Sequence, residues 1–369
     1  MALPPLFISS EIYRKTGYGT NHPLAIQRVG TVLDLCDAMG WFDDGLYIDS
    51  YVASESDLIK FHTAEYVKAI READRSGRVT AEVRKRYKIG TMENPFFQGL
   101  YQRASTSAGG SIQAAKLCTQ GHVVYHPSGG THHGMPNYAR GFCYFNDIVL
   151  AIIALLECGL ERIVYLDLDA HHGDGVQFAF ETDPRVFTIS IHEENRWPNS
   201  GLLEDRGNGN ARNLSVPSGF SDSELAFAMN EAVLPMISKF QPEAAVICCG
   251  ADALAGDPLS RLSLTNIALW NSVGRIVNFN LPTVIVGGGG YNPWTVARCW
   301  AGLWASLSGY EIPKTLPESA QNILSNLDSD LIDEEDIEDQ WITTIADTAM
   351  AGRVRERVKD VARAVVAAE

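Results

Sequence analysis

The sequence predicts an α/β protein built on a parallel β-sheet. Short β-rich runs alternate with helical stretches from about residue 120 to 310, and this alternation is typical of βαβ units. The chain has 369 residues, of which 46% are hydrophobic. It can therefore form one large domain with a sizeable core, or two ordinary domains. Since parallel strands end at one edge of a sheet, functional residues are expected at that edge.

Five strands are predicted from apolar, β-branched runs, which are His122–Tyr125, Ile163–Leu168, Val186–Ile191, Ala244–Cys248 and Thr283–Val286. Helical patterns alternate with them at Asn146–Glu157, Asp222–Lys239, Thr265–Asn278 and Asn292–Leu307. The first hundred residues are mainly helical in pattern, notably at His22–Met39 and Ala64–Ala73. No linker rich in Gly, Ser or Pro separates them from the rest, so we expect them to pack on the same sheet.

The chain changes character after Pro313. The run NLDSDLIDEEDIEDQ is strongly acidic, as solvated surface segments often are, and AGRVRERVKDVARAVVAAE has the pattern of an amphipathic helix. We therefore predict a main catalytic domain over 1–313. Residues 314–369 would form a C-terminal appendage that is docked or partly mobile.

Composition restricts the partners and the compartment. A formal net charge of −15 argues against a general affinity for nucleic acid or anionic membranes. The seven cysteines lack a CxxC pair and suit reduced thiols. The opening MALPPLFISS does not resemble a signal peptide, and the longest apolar run, Ile148–Leu156, is far shorter than the ~20 residues of a membrane span. We expect a cytoplasmic protein with no nucleic-acid or membrane partner, and its oligomeric state stays open.

The stretch RIVYLDLDAHHGDGVQ places three acids and two histidines at the end of a buried strand. Buried ionisable groups are costly unless they are paired or metal-bound. Asp167, Asp169 and His171 recur at every second position, so an extended chain points them in the same direction. A DxH pattern alone is more simply a polar strand end, although it can chelate a divalent metal. The adjacent His172 and Asp174 favour a functional site.

Three further polar clusters follow other strands. HPSGGTHHGMP carries His132 and His133, which could be metal ligands, a base with its partner, or surface residues. VICCGADALAGDPLSR carries Asp252 and Asp257, either of which could cap a turn or complete a metal site. TVIVGGGGYNP ends near Tyr291, which could donate a hydrogen bond to developing negative charge, while the missing GxGxxG and Walker lysine argue against nucleotide binding. All four clusters fall at the same edge of the predicted sheet.

Four long motifs resemble those of a known family: GGTHHGMPNYARGFCYFNDIVLAI, YLDLDAHHGDGVQ, GADALAGDP and GGGGYNPWTVARCW. They resemble, in the same order, the zinc-dependent histone deacetylase superfamily, and most closely its class I-like branch of bacterial deacetylase-like and acetoin-utilisation proteins. The likeness covers roughly Leu6 to Pro313. It implies an arginase-like three-layer α/β fold with a central eight-stranded parallel sheet flanked by helices. It also implies a zinc-dependent hydrolase that removes acetyl or other acyl groups from lysine side chains of proteins or peptides and releases acetate.

The resemblance also assigns residues to roles. The zinc ligands would be Asp169, His171 and Asp257, a set that can also accept ferrous iron. The catalytic group would be a histidine pair, its two carboxylate partners and a tyrosine that polarises the scissile carbonyl, namely His132, His133, Asp167, Asp174 and Tyr291. Among these, His133 would act as general base and then acid, and His132 would chiefly tune the electrostatics. A structural potassium ion would lie among Asp167, Asp169, His171, Ser190 and Ile191.

Further matches are expected to bind the substrate at Glu93, Gly141, Phe142, Trp197 and Leu264. Glu93 stands where class I enzymes have an aspartate that grips the substrate backbone. Trp197 stands where phenylalanine is usual, which would narrow or reshape the tunnel entrance. Arg28 matches an arginine beside an internal exit for acetate.

Three other functions share features with this pattern. A binuclear manganese ureohydrolase would need a D-A-H-x-D spacing, whereas DAHHGD places its last acid one residue late, and Asp257 has Leu259 two positions on. An acetylpolyamine amidohydrolase, or another small-molecule deacetylase, is the main alternative. Polyamine-selective members use an acidic gate where Leu264 stands here, although Glu93 could take that role. A non-catalytic metal-binding scaffold is disfavoured, because no ligand or catalytic residue is missing.

Overall fold

A single eight-stranded sheet forms the centre of the computed structural model, which describes residues 3–15, 17–19 and 22–367. In chain order, strands β1 to β8 are Leu6–Ser9, Tyr47–Asp49, Val123–His126, Ile163–Asp167, Val186–Glu193, Ala211–Val216, Ala244–Cys248 and Thr283–Val286. All neighbours are parallel, in the order β2-β1-β3-β8-β7-β4-β5-β6. The predicted α/β class with a central eight-stranded parallel sheet is confirmed.

Helices cover both faces of the sheet and complete the three layers. In chain order, α1 to α14 are Val29–Ala38, Glu55–Leu58, Ala64–Ser76, Ala81–Tyr87, Leu100–Cys118, Asp147–Glu157, Asp174–Phe180, Asp222–Ala228, Leu234–Phe240, Asn266–Val277, Pro293–Ser308, Glu318–Ser325, Asp339–Thr343 and Glu356–Ala367. A π-helical turn, Met229–Val233, joins α8 to α9. Among the helices of the described ranges, none combines the length and the apolar character needed to cross a bilayer.

Strands β1 and β4 to β8 bury both of their faces. In β7, Ala245 and Ile247 belong to one hydrophobic core, and Ala244, Val246 and Cys248 belong to the other. This alternation follows from the two-residue period of a strand. A strand covered on both faces has no polar side, which is why these segments read as continuous apolar runs in the sequence.

Several elements differ from the prediction. β7 and β8 have the predicted bounds, whereas β1, β2 and β6 were not predicted. β1 and β2 are only four and three residues long, and β6 (ARNLSV) carries polar residues that mask its pattern. The predicted helix over His22–Met39 begins only at Val29, because Pro23–Ala25 forms a separate 3₁₀ turn.

The C-terminal segment is docked on the main core. Val358, Val361 and Val365 of α14 are at most 1% exposed and belong to the core that also contains strand residues. Arg298 of α11 is fully buried and forms an ion pair with Asp347 at 2.8 Å. The boundary between 313 and 314 stays a prediction, and the outermost residues of both predicted segments, 1–2 and 368–369, lie outside the described part of the chain.

Candidate active site

Four loops that carry the polar motifs begin at the carboxyl edge of the sheet. β3, β8, β7 and β4 are neighbours there, because His126 pairs with Val286, Val286 with Cys248, and Cys248 with Asp167. The loops after these strands carry, in the same order, the histidine pair, the glycine turn with Tyr291, the two aspartates of GADALAGDP, and the DxH pattern. The strand order therefore brings together motifs that are far apart in the sequence.

Two buried histidines lie against two carboxylates. Nδ1 of His132 is 2.8 Å from Oδ2 of Asp167, and Nδ1 of His133 is 2.7 Å from Oδ1 of Asp174. The two ring centroids are 3.9 Å apart. A neutral imidazole that donates its Nδ1–H to a carboxylate keeps the Nε2 lone pair as an acceptor. This arrangement leaves Nε2 of His133 available for proton transfer.

The two histidines differ in their preferred charge. Burial opposes the charged form of His132, but the carboxylates of Asp167 and Asp169 raise its pKa to about 9. Burial and the nearby positive charge of His132 lower the pKa of His133 to about 3, despite the opposing effect of Asp174. A neutral histidine can accept a proton, as a general base must.

Asp169, His171 and Asp252 form a buried group suited to hold a metal ion. Their ligand atoms all lie within 4.8 Å of one another. Nδ1 of His171 is 2.9 Å from Oδ2 of Asp252 and 3.3 Å from Oδ1 of Asp169. Two carboxylates and an imidazole are typical ligands of zinc and of ferrous iron. The residues present therefore fit a divalent metal ion.

Asp257, the expected third ligand, lies beside this group. Its Oδ2 accepts the Tyr291 N–H at 2.7 Å, and its Oδ1 accepts the Leu259 N–H at 2.9 Å, so backbone groups engage both oxygens. Burial and the charge of Asp252 raise the pKa of Asp257 to about 7. Burial and the charge of Asp169 raise the pKa of Asp252 to about 6. A cation would relieve this crowding of acids. The assignment of Asp257 as a ligand stays a prediction, and Asp252 is a ligand candidate that the sequence offered only as an alternative.

The glycine turn brings Tyr291 to the same place. Gly288 and Gly290 have φ angles of +149° and +139°, which other residues rarely adopt. A Cβ on Gly289 would overlap two acids of the metal-ligand group, and the Gly289 N–H donates to Oδ2 of Asp169 at 2.6 Å. The glycines thus allow the turn to approach carboxylates. Burial and nearby acids raise the pKa of Tyr291 well above 10, so its phenol keeps its proton.

Two supporting residues were missed in the sequence. The buried Asp147 carboxylate accepts the Thr131 N–H at 2.7 Å, and the Asn146 side-chain amide donates to the carbonyls of His132 and Gly134 at 3.3 and 3.0 Å. Together they hold the backbone of the histidine loop. The available signal was an Asn-Asp pair at a helix start, where Asn is a common N-cap.

Two cavities meet at these residues. An internal cavity of about 140 Å³ lies on one side and an open cleft of about 860 Å³ on the other, and both are bordered by His133, Gly141, Phe142, His171 and Tyr291. Arg28 borders the internal cavity, where its guanidinium lies 4.7 Å from the centre of the Trp300 ring and donates to the Gly288 carbonyl.

Four of the five expected substrate-binding residues border these cavities, namely Glu93, Gly141, Phe142 and Trp197. Leu264 does not border either of them. A backbone bridge to Leu254 fixes Leu264, and its side chain is 3% exposed within the hydrophobic core. Leu259 borders the cleft instead. The substrate-binding role assigned to Leu264 stays a prediction.

The residues expected around potassium lie on adjacent strands. Asp167 on β4 pairs with Ser190 on β5, Ile191 follows Ser190, and Asp169 and His171 follow β4. Oγ of Ser190 is 2.9 Å from Nδ1 of His192. The potassium ion itself stays a prediction.

Comparison with known proteins agrees with this geometry. Residues 22–307 match the histone deacetylase domain family. The chain is 34% identical over 327 residues to acetoin utilization protein AcuC of Bacillus subtilis, covering 85% of this chain and 84% of that protein. It is 37% identical over 309 residues to probable histone deacetylase 1-A of Xenopus laevis, covering 81% of this chain and 64% of that protein.

A solved structure is also similar. The crystal structure of an HDAC homolog from Aquifex aeolicus superposes with a TM-score of 0.93 at 35% identity, covering 98% of this chain and 99% of that one. The match extends over almost the whole chain, so it includes the C-terminal segment as well as the site. The chain therefore belongs to the histone deacetylase family, in its acetoin-utilisation branch, and is a deacetylase with the family's α/β fold.

Proposed function

We propose that this deacetylase is a zinc-dependent lysine deacylase that hydrolyses acetyl-lysine in proteins or peptides and releases acetate. The observation that carries the proposal is that His133, His171 and Tyr291 border both cavities, while Asp174 and Asp169 contact the two histidines. Amide hydrolysis needs a base, an acid and stabilisation of an oxyanion, and these residues can supply all three.

Asp169 and His171 would hold the metal, with Asp257 as third ligand by family resemblance and Asp252 as the candidate favoured by distance. A divalent ion there supplies Lewis acidity to the amide carbonyl and acidifies water. Ferrous iron is the alternative to zinc. Potassium would lie near Asp167 and Ser190 and would support the metal loop.

His133 would take a proton from the attacking water, and Asp174 would hold its ring in the required tautomer. The water oxygen bonds to the carbonyl carbon, and Tyr291 donates a hydrogen bond to the carbonyl oxygen as negative charge develops there. The C–N bond then breaks, and His133 returns its proton to the leaving amine. The products are a carboxylic acid and an amine, and transfer of the acid proton to the amine leaves a carboxylate and an ammonium group.

The cleft supports a peptide substrate. Its volume of about 860 Å³ leaves room for chain on both sides of an acyl-lysine. Oε1 of Glu93 accepts the Gly141 N–H at 2.9 Å, so the carboxylate is fixed at the rim, where it can accept a substrate backbone N–H. Residues 314–369, as a C-terminal appendage, would support this catalytic domain rather than take part in chemistry. A cytoplasmic location would suit such a substrate.

Acetylpolyamine hydrolysis is a second candidate, because the fixed Glu93 carboxylate would equally attract an ammonium group. A side-by-side assay decides between them. Purified metal-loaded protein would be given acetyl-lysine peptides and N-acetylated polyamines, and released acetate would be measured. A higher kcat/KM for the peptides is expected. A clear preference for polyamines would make the second candidate the function, and no release from either carrier would contradict both.

A further inference from the structure

Trp197 covers the proton-transfer residue from the side of the open cleft. Its indole is 38% exposed, and its ring centroid lies 4.6 Å from that of His133 at an interplanar angle of 81°. It lies 6.2 Å from the ring of His171. The indole is thus placed between the cleft and the base.

The far end of the same indole reaches the opposite wall. A Cβ built on Gly141 would overlap both Cη2 of Trp197 and the His133 ring. Only a residue without a side chain fits, and its φ of +56° is also suited to glycine. Carbon atoms pack at about 3.5–4 Å. The indole therefore closes the gap to Gly141, and an acyl group must enter beside this contact, where Phe142 and Trp197 both border the cleft.

Arg140 holds the indole in this position. Its guanidinium carbon lies 5.5 Å from the centre of the Trp197 ring, within the range of a cation–π contact. The same guanidinium forms an ion pair with Oδ2 of Asp174 at 3.1 Å. The Asp174 side chain is only 8% exposed, and its other oxygen is held by His133. A buried carboxylate thus anchors the arginine, and the arginine anchors the tryptophan.

The geometry points to Arg140 and Trp197 as a specificity-determining pair that limits the width of the acyl group able to reach the site. The acyl group is the leading end of the substrate, so it must pass the indole before the lysine stem does. A smaller aromatic side chain, or an indole released from Arg140, would admit wider, branched acyl groups. This inference rests on the proposed deacylase function for its kinetic test, but not for the accessibility test below.

The kinetic test compares acetyl-lysine and branched isobutyryl-lysine peptides in wild type, Trp197→Phe and Arg140→Gln. Discrimination by a hydrophobic wall is worth roughly 10- to 200-fold per methylene. We expect the isobutyryl-to-acetyl ratio of kcat/KM to rise at least ~10-fold in Trp197→Phe and less in Arg140→Gln. In a Trp197→Ala background, Arg140→Gln should have no further effect on the ratio, because contacting residues are non-additive. Additive effects, or unchanged ratios, would overturn the inference.

Accessibility of His133 is measured without turnover. Diethyl pyrocarbonate modifies accessible neutral imidazoles, and mass spectrometry of the His133 peptide gives the rate at that residue. The rate should rise several-fold in Trp197→Ala and to a smaller extent in Arg140→Gln. Arg86→Gln is the matched control, since Arg86 stacks on Tyr87 at 5.1 Å and borders neither cavity.

The two tests fail in different ways. A wild-type protein that cleaves no acyl-lysine contradicts the proposed function, and the modification rates then decide the role of the pair. If the protein is active but the substitutions change neither its acyl preference nor the reactivity of His133, the inference is overturned and the proposed function stands.

Discussion

His133 and Asp174 form a buried pair in which Nδ1 and Oδ1 are 2.7 Å apart, and the second oxygen of Asp174 lies 3.1 Å from the guanidinium of Arg140. The carboxylate therefore orients the base on one side and is held by a cation on the other. Burial opposes its charge, but His133 and Arg140 keep its pKa below the usual range. The carboxylate stays charged while the imidazole stays neutral, which is the state a base needs before reaction.

Asp174→Asn tests the orienting role. An amide of the same size can turn its N–H₂ toward His133, which favours the wrong tautomer. We expect kcat to fall about 100-fold or more, with the metal content unchanged. Asp183→Asn, which removes an exposed pair with Arg185, is the matched control and should keep wild-type turnover. Equal kcat in both variants would contradict the role of Asp174.

Tyr291→Phe removes the phenol and leaves the ring. Removal of one oxyanion donor typically costs about 100- to 1,000-fold in kcat. We expect kcat to fall by this factor while KM stays unchanged, because the hydroxyl acts on the charge that develops during the reaction. Elemental analysis should find the wild-type metal content. Wild-type turnover on acetyl-lysine would contradict the assignment.

Asp252→Asn and Asp257→Asn separate the two candidate third ligands. If Asp257 binds the metal directly and Asp252 supports His171, the first variant weakens the metal about 10- to 100-fold and the second abolishes binding. Titration against a chromogenic chelator at fixed pH measures both affinities. The reverse order of affinities would assign the ligand to Asp252, which already lies 2.9 Å from Nδ1 of His171.

The metal-free protein should lose stability as the pH rises from about 6.5 toward 9. Burial opposes the charge of His132 and His171, but neighbouring carboxylates raise their pKa values to about 9 and about 10. A raised histidine pKa contributes stability below its unfolded value of about 6.5, and this contribution is lost as the pH rises through the folded value. Bound metal replaces the proton on His171. Thermal unfolding at pH 6.5 and 9 should therefore show a larger decrease in Tm without metal than with it, and an equal decrease would contradict this origin.

Arg355→Gln tests the docking of the C-terminal segment. Two nitrogens of the Arg355 guanidinium donate to the two oxygens of Glu224, each at 2.6 Å, and the Glu224 side chain is only 1% exposed. A buried acceptor that loses its partner costs about 1–3 kcal/mol, which urea unfolding would measure. Arg363→Gln, which removes an exposed ion pair with Asp360, is the control.

The same pair has a defined pH dependence. Burial raises the pKa of Glu224, but its bonds to Arg355 outweigh this effect and lower it. The contribution to stability is therefore present above the unfolded pKa and is lost as the pH falls through the lower folded value. The difference between wild type and Arg355→Gln should shrink in acid, and a constant difference would contradict the ion-pair explanation.

The strands at the centre of the sheet could be predicted because each is a continuous apolar run with both faces buried. β6 could not be predicted, because it is an edge strand that pairs only with β5 and half of the residues in its ARNLSV sequence are polar. The motifs at the strand ends predicted that His132, His133, Asp169, His171 and Tyr291 form one site, and the structure places all five around the smaller cavity. The burial of the Leu264 side chain in the core could not be predicted, because residues in an irregular loop have no periodicity that indicates the direction of a side chain.

The sequence by itself determined the α/β class, the parallel sheet and the edge where the polar groups collect, because these depend on local periodicity and on where each apolar run ends. Only the tertiary structure decided that Asp252 approaches His171 more closely than the motifs suggest, and that Arg140 joins Asp174 to Trp197. These contacts depend on β7 lying next to β4 and on a loop folding over the site. Such long-range distances arise from packing, which no local pattern records.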